Sequence, residues 1–377
     1  MVKNSPARFA FRLFAPSWKL TLSCAIFAVL CLAGIAAAQE AQIEPGSERA
    51  RFAVLPASLH SPRNAIEAAT IPLPTWNGSF TQNGTTYNYN MVGVAPSTNG
   101  SASVTTYVIP VKIVLSNGAV YDPSTTLANG NTVTKNATLS PIFSSSVDFT
   151  SGGTSMGSTQ YIDAFQRANF WGVTPSTHTY HLLLAETTLA EQTLKPPKQY
   201  GTTGTVFGVH AGLVDINWFD SQARSLLTTL GITPNTFAIF LTYDVYLTQH
   251  RSCCIGGYHS STGSTSAPQS YAHATYVDVA GAFAQDVSAL SHEVGEWADD
   301  PLVVNINGNN TPCGILEVGD PLENNPNFGG FPYTVNGFTY NLQDLTTLPY
   351  FGAPSSTSVN DEFTFQGDSL AVCQNGS

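Results

Sequence analysis

The chain is poor in cations. Its 377 residues hold 14 Lys and Arg against 25 Asp and Glu. Four of the 14, Lys3, Arg8, Arg12 and Lys19, fall in the first 19 residues, where there is no acid. Beyond residue 38 ten basic residues remain, an excess of 15 negative charges. No basic cluster survives there. Nucleic acid and anionic membrane surfaces are therefore not expected as partners, because both need cationic patches that displace counterions. Charged residues are only 10% of the chain, while Ser, Thr, Asn and Gly are abundant. That balance suits an exported, β-rich protein better than a cytosolic helical one.

Long apolar runs are equally scarce. The one at 20–35, "LTLSCAIFAVLCLAGI", is short for a membrane span. It follows the basic stretch and ends at Ala36 and Ala38, a small-x-small cleavage pattern. Residues 1–38 are expected to be a signal peptide. The mature protein is then secreted, extracellular or periplasmic, and not embedded in a membrane. Cysteine is sparse too. Cys24 and Cys31 leave with the leader, and Cys253, Cys254, Cys313 and Cys373 remain. Four thiols in an exported chain suggest two disulfides. Adjacent cysteines rarely pair, so Cys253 and Cys254 are expected to reach Cys313 and Cys373, in either order. No C-x-x-C spacing points to a zinc–cysteine site.

Residues 39–70 are polar and aperiodic, an approach segment expected to be poorly ordered. Short strands and turns dominate 71–175. "TTYVIPVKIVLSNGAVYDP" is a hairpin pattern around Ser116-Asn117-Gly118. "TQYIDAFQRANFW" and "FDSQARSLLTTLGI" have helical spacing, and "TFAIFLTYDVYL" has the β-branched and aromatic content of a buried strand. A β-rich N-terminal part, 71–175, is thus expected to precede an α+β part, 176–377.

Chemistry concentrates in "SALSHEVGEWADDP". A helix from about 283 to 299 is expected to end before Pro301, since the residue before proline avoids α geometry. Val287, Leu290, Val294 and Trp297 form its apolar face. His292 and Glu296 are four apart, about 5–6 Å between Cβ atoms, so both can bind one ion. Glu293 is turned about 100° from His292 and can take a proton from water, as Glu does in H-E-x-x-H. Glu317, 25 positions beyond His292, is the expected third metal ligand, with Asp320 behind it to orient His292. Asp299 and Asp300 are rival ligands. His259 lies in "GGYHSSTGS", a loop-like stretch, where a ligand, a substrate contact and a solvated histidine all stay open. One imidazole and two carboxylates suit zinc, one ion per chain, with manganese and calcium as competitors for the harder oxygens.

These motifs resemble the plant Exordium (phosphate-induced) family and its secreted bacterial relatives. Those proteins carry H-E-x-x-E, then [DN]-P, then E-[IV]-[GA]-D, matched here by "HEVGE", "DDP" and "EVGD". "CCIGGYHS" and "YAHATYVDV" resemble two further stretches of that family. The likeness is strong over about 250–320 and loose elsewhere. The chain departs from the pattern in that Cys313 stands before the Glu317 motif instead of just after it. The resemblance implies a zincin-like fold, a mixed sheet with an active-site helix. It carries His292, Glu293, Glu296, Glu317, Asp320 and His259 over as site residues. The expected function is a secreted, metal-dependent hydrolase, a zinc peptidase on protein or peptide substrates with Glu293 as catalytic base. The alternative is a non-catalytic Exordium-like extracellular or cell-wall binding protein with a degenerate zincin fold.

Overall fold

The computed structural model describes residues 48–82, 85–151, 154–170, 173–174, 179–303, 326–343, 346–347 and 362–363. The expected signal peptide, Glu317, Asp320, Cys313 and Cys373 lie outside the described residues. From Ala38 onward the chain clusters as one compact unit.

Its frame is a mixed sheet of twelve strands. In chain order these are β1 (Arg51–Val54), β2 (Ser58–His60), β3 (Ser101–Val114), β4 (Val120–Tyr121), β5 (His181–Thr188) and β6 (Gln192–Leu194). Then come β7 (Gly201–Val206), β8 (Val209–Asp215), β9 (Phe237–Tyr243), β10 (Val245–Gln249), β11 (Ser252–Ser264) and β12 (Ala267–Tyr276). The spatial order is β6-β3-β9-β12-β11-β10-β8-β7. Strands β1 and β2 also pair with β11, and β4 and β5 with β3. The interior strands are buried on both faces, which favours continuous β-branched and aromatic runs. In β9, Phe237, Ile239 and Leu241 enter one core, while Ala238 and Phe240 enter the other.

The three longest of the described helices cover these faces: α1 (Tyr161–Asn169), α2 (Ile216–Thr229) and α3 (Ser288–Asp299). Helix α2 buries Ile216, Phe219, Ala223 and Leu227 on one face. Its start is fixed by Asp215, whose Oδ1 accepts from the Trp218 N–H at 2.9 Å. Helices α1 and α3 pack into the other core. Helix α3 ends at Asp299 but begins five residues later than expected. Ala284 (φ 60) and Asp286 (φ 43) are left-handed, a conformation no helix continues through. The expected hairpin forms, with Ile113 opposite Tyr121 and Gly118 supplying the positive φ of the turn.

Two expectations give way. The sheet does not respect a division near residue 175: β3, from the N-terminal part, lies between β9 on one side and β5 and β6 on the other. The approach segment is not free chain either, since β1 and β2 pair in parallel with β11. A third correction concerns the cysteines. Cys253 is bridged to Cys254, not to a distant partner. The peptide bond between them is cis and their Cα atoms are 3.0 Å apart, closer than the roughly 3.8 Å of a trans link.

Candidate metal centre

The centre is built where α3 lies across β11 and β12. Side chains along a strand alternate between faces. Tyr258 of β11 enters the α2 core, so Gly257 and His259 face α3. Gly257 has a specific reason to lack a side chain. A Cβ there would lie 2.5 Å from Glu293 Oε1 and 2.8 Å from the His273 carbonyl oxygen. The glycine opens the space that Glu293 occupies.

The stretch around His259 is a buried strand, where the sequence suggested a loop. It is poor in β-branched residues, and pairing along both its edges overrides that weak propensity. The consequence is chemical. His259 Nδ1 stands 3.0 Å from Glu296 Oε2 and 3.6 Å from Glu293 Oε2. His259, Glu293 and Glu296 each place a ligand atom within 4.8 Å of the others. His292 adjoins the trio, its Nε2 2.9 Å from Glu296 Oε1. Relative exposure is 2% for His259, 1% for Glu296 and zero for His292 and Glu293.

Two partners fix His292. Its Nδ1 is hydrogen-bonded to Gln343 Oε1. Gln343 Nε2 donates to the Phe328 carbonyl at 2.7 Å, which sets the amide's orientation. Nδ1–H is therefore the donor, and the Nε2 lone pair is left facing Glu296. On the ring's flat side Phe52 stacks at 3.7 Å between centroids, with 18° between planes.

Residue types and distances fit a divalent cation. Imidazole and carboxylate oxygen are both zinc donors at similar bond lengths. Two carboxylates converge on one buried histidine, whose Nε2 is enclosed and has no hydrogen-bond partner among the described residues. Buried charges are costly unless paired or bound to a metal.

The sequence named His292, Glu293 and Glu296, and α3 brings them together. It held His259 in reserve, and β11 delivers it to the centre. Asp299 and Asp300 stand outside the trio. Asp299 Oδ1 instead accepts from Gln166 Nε2 at 2.6 Å. Burial pushes its carboxyl well above the usual range, and the nearby charges of Glu296 and Asp300 push the same way. His181 pairs with Asp163 at 2.9 Å, a tie between β5 and α1, in keeping with a structural role. Gln343, Gly257 and Phe52 were not foreseen; Gly257 lies within "CCIGGYHS" but nothing there singles it out, and the other two stand in no motif.

Comparisons of the chain with known protein families, with curated sequences and with solved structures find no match. The Exordium-like resemblance therefore stands on its short motifs. Among the described residues no helix is long and apolar enough to cross a membrane.

Proposed function

We propose that this chain is a secreted, metal-dependent hydrolase of zincin type acting on protein or peptide. The observation that carries this is the convergence of His259, Glu293 and Glu296 within 4.8 Å, with His292 alongside. Glu296 lies between the two imidazoles, one oxygen toward each, and is the central ligand. His259 and His292 complete the protein's donor set, and Gln343 keeps the Nε2 lone pair of His292 available. Glu293 is the base: it takes the proton of the attacking water and returns it to the leaving amine. A zinc ion held by these residues would supply a Lewis acid for the scissile carbonyl and lower the pKa of its water. The negative charges of Glu296, a ligand, and of Glu293 beside it temper that acidity, so turnover is slow and favoured at alkaline pH.

The full burial of the four side chains supports a second reading. In it the ion is structural, in an extracellular or cell-wall binding protein of degenerate zincin fold. Two substitutions separate the two. Elemental analysis of the purified mature chain should find one divalent ion in the parent and in Glu293→Gln, and none in Glu296→Gln. Hydrolysis of an unfolded protein should then vanish in Glu293→Gln while its metal stays. Activity that survives Glu293→Gln removes the enzyme reading as stated.

A further inference from the structure

A hydrolytic centre has to admit a substrate carbonyl, yet all four of its side chains are enclosed. Gln343 orients His292 and Gly257 makes room for Glu293, so both belong to the site. Phe52 does neither. It lies flat on His292 and contacts Phe283, with ring centroids 5.1 Å apart.

Phe52 is delivered by an irregular edge strand. Strand β1 runs beside the part of β11 that carries Gly257 and His259: Arg51 pairs with Ile255, Ala53 with Tyr258 and Val54 with His259. The register shifts between Arg51 and Ala53, so Phe52 sits in the irregularity. The extra residue is on β11, where Gly256 and Gly257 stand opposite Phe52, whose ring lies on His292. The segment's other ties run along the same edge. Arg49 exchanges two backbone hydrogen bonds with Cys253 and Cys254, the Leu55 N–H donates to the His259 carbonyl and the Thr265 N–H to the His60 carbonyl. Ser260 Oγ donates to the Leu55 carbonyl at 3.0 Å, Thr262 and Arg224 donate to Ser58, His60 pairs with Glu67, and β2 adds three residue pairs. Pro56 separates the two strands, and the stretch after His60 is exposed. Both strands pair with β11 alone among the described residues. Short edge ladders of this kind belong to the low-stability end of a fold.

We infer that residues 48–60 form a displaceable strap that closes the metal centre, with Phe52 as its plug. The strap rests on the metal-centre reading proposed above. Local release of β1 uncovers His292 and leaves every ligand on α3 and β11 in place. Displacement, not rearrangement of the ligands, then admits zinc and substrate.

The test follows zinc entry and exit in the full-length mature protein. An indicator dye reports loading, and EDTA stripping reports release, for the parent, Phe52→Ala, Phe52→Tyr and Leu227→Ala. The last variant weakens the opposite core, so it reports the effect of lost stability alone. With the plug gone, both rates should rise about tenfold or more while their ratio changes less than about threefold. Phe52→Tyr should restore slow exchange. Unchanged rates in Phe52→Ala, or an equal rise in Leu227→Ala, overturn the strap. No zinc in any variant overturns the metal centre, and the strap with it. A parent that excludes zinc while Phe52→Ala takes it up supports both.

Discussion

Two histidines sit back to back in this sheet. His259 on β11 faces α3; His273 on β12, the neighbour of Tyr258 across the ladder, faces α2. Both are buried. His259 meets two carboxylates. His273 meets the Thr242 hydroxyl at 3.0 Å and the edge of Phe219, with ring centroids 4.6 Å apart. Burial alone holds the His273 pKa down, to about 3, so it is a neutral core residue. The same residue type, one strand away, becomes a ligand candidate on one face and packing on the other. What decides is which helix lies over the strand: α2 presents Phe219, α3 presents Glu293 and Glu296.

The strongest way to break this contrast is to alter the site on each face in turn. His259→Ala or Glu296→Gln should weaken zinc binding by at least about 100-fold, more than an outer-shell loss costs. His273→Leu should leave it within a factor of about two, since that residue touches no ligand. Competition with a chromophoric chelator measures both, and equal losses on the two faces would end the distinction. Next in size is Gly257→Ala. Its Cβ would press on Glu293 and on a backbone oxygen that cannot turn aside. A cost of about 2–3 kcal/mol in urea denaturation is expected, together with lost metal affinity. Gln343→Leu leaves the fold intact and frees the His292 ring to rotate. Zinc affinity should fall about 10- to 100-fold, and an unchanged value would show that the stacked Phe52 suffices to hold the ring.

The smallest effect lies on the α2 face and depends on pH. The His273 pKa is lowered from 6.5 to about 3 in the folded state. Between those values the unfolded chain binds a proton that the folded one refuses. Stability from this group is therefore fully present above pH 6.5 and drains away as pH falls toward 3. From pH 6.5 to 5 the loss is about 1–2 kcal/mol. His273→Leu should flatten that acid limb, as read from urea midpoints across the range. An acid limb just as steep in the variant would place the titrating group elsewhere.

Much of the frame was legible where local signals agree with the final environment. The β3–β4 turn has its glycine, and "FAIFLTY" has the composition of a doubly buried strand. Helix α3 announced three site residues by spacing alone. The rest was hidden for identifiable reasons. The β11 stretch is Gly- and Ser-rich, and those glycines record space taken by Phe283 and Glu293, which no local pattern encodes. Gln343 is a polar residue just after the strand Phe338–Leu342, which forms a hairpin with Phe331–Val335, and it acquires its role only by meeting His292. Adjacent cysteines rarely pair, and no local pattern marks Cys253 and Cys254 as an exception. A boundary near 175 follows from composition, but parallel strands recruit neighbours far apart in sequence.

The pairing of β1 with β11 also sets an order of events. Ser260 reaches the carbonyl of Leu55 across 205 positions of chain. When synthesis has passed β1, its partner strand does not yet exist, and the N-terminal segment must wait for it unpaired. Gln343, the orienting residue of His292, is made later still. The centre is therefore among the last parts of the molecule that can close, and an ion held there would be a certificate that folding has run to its end.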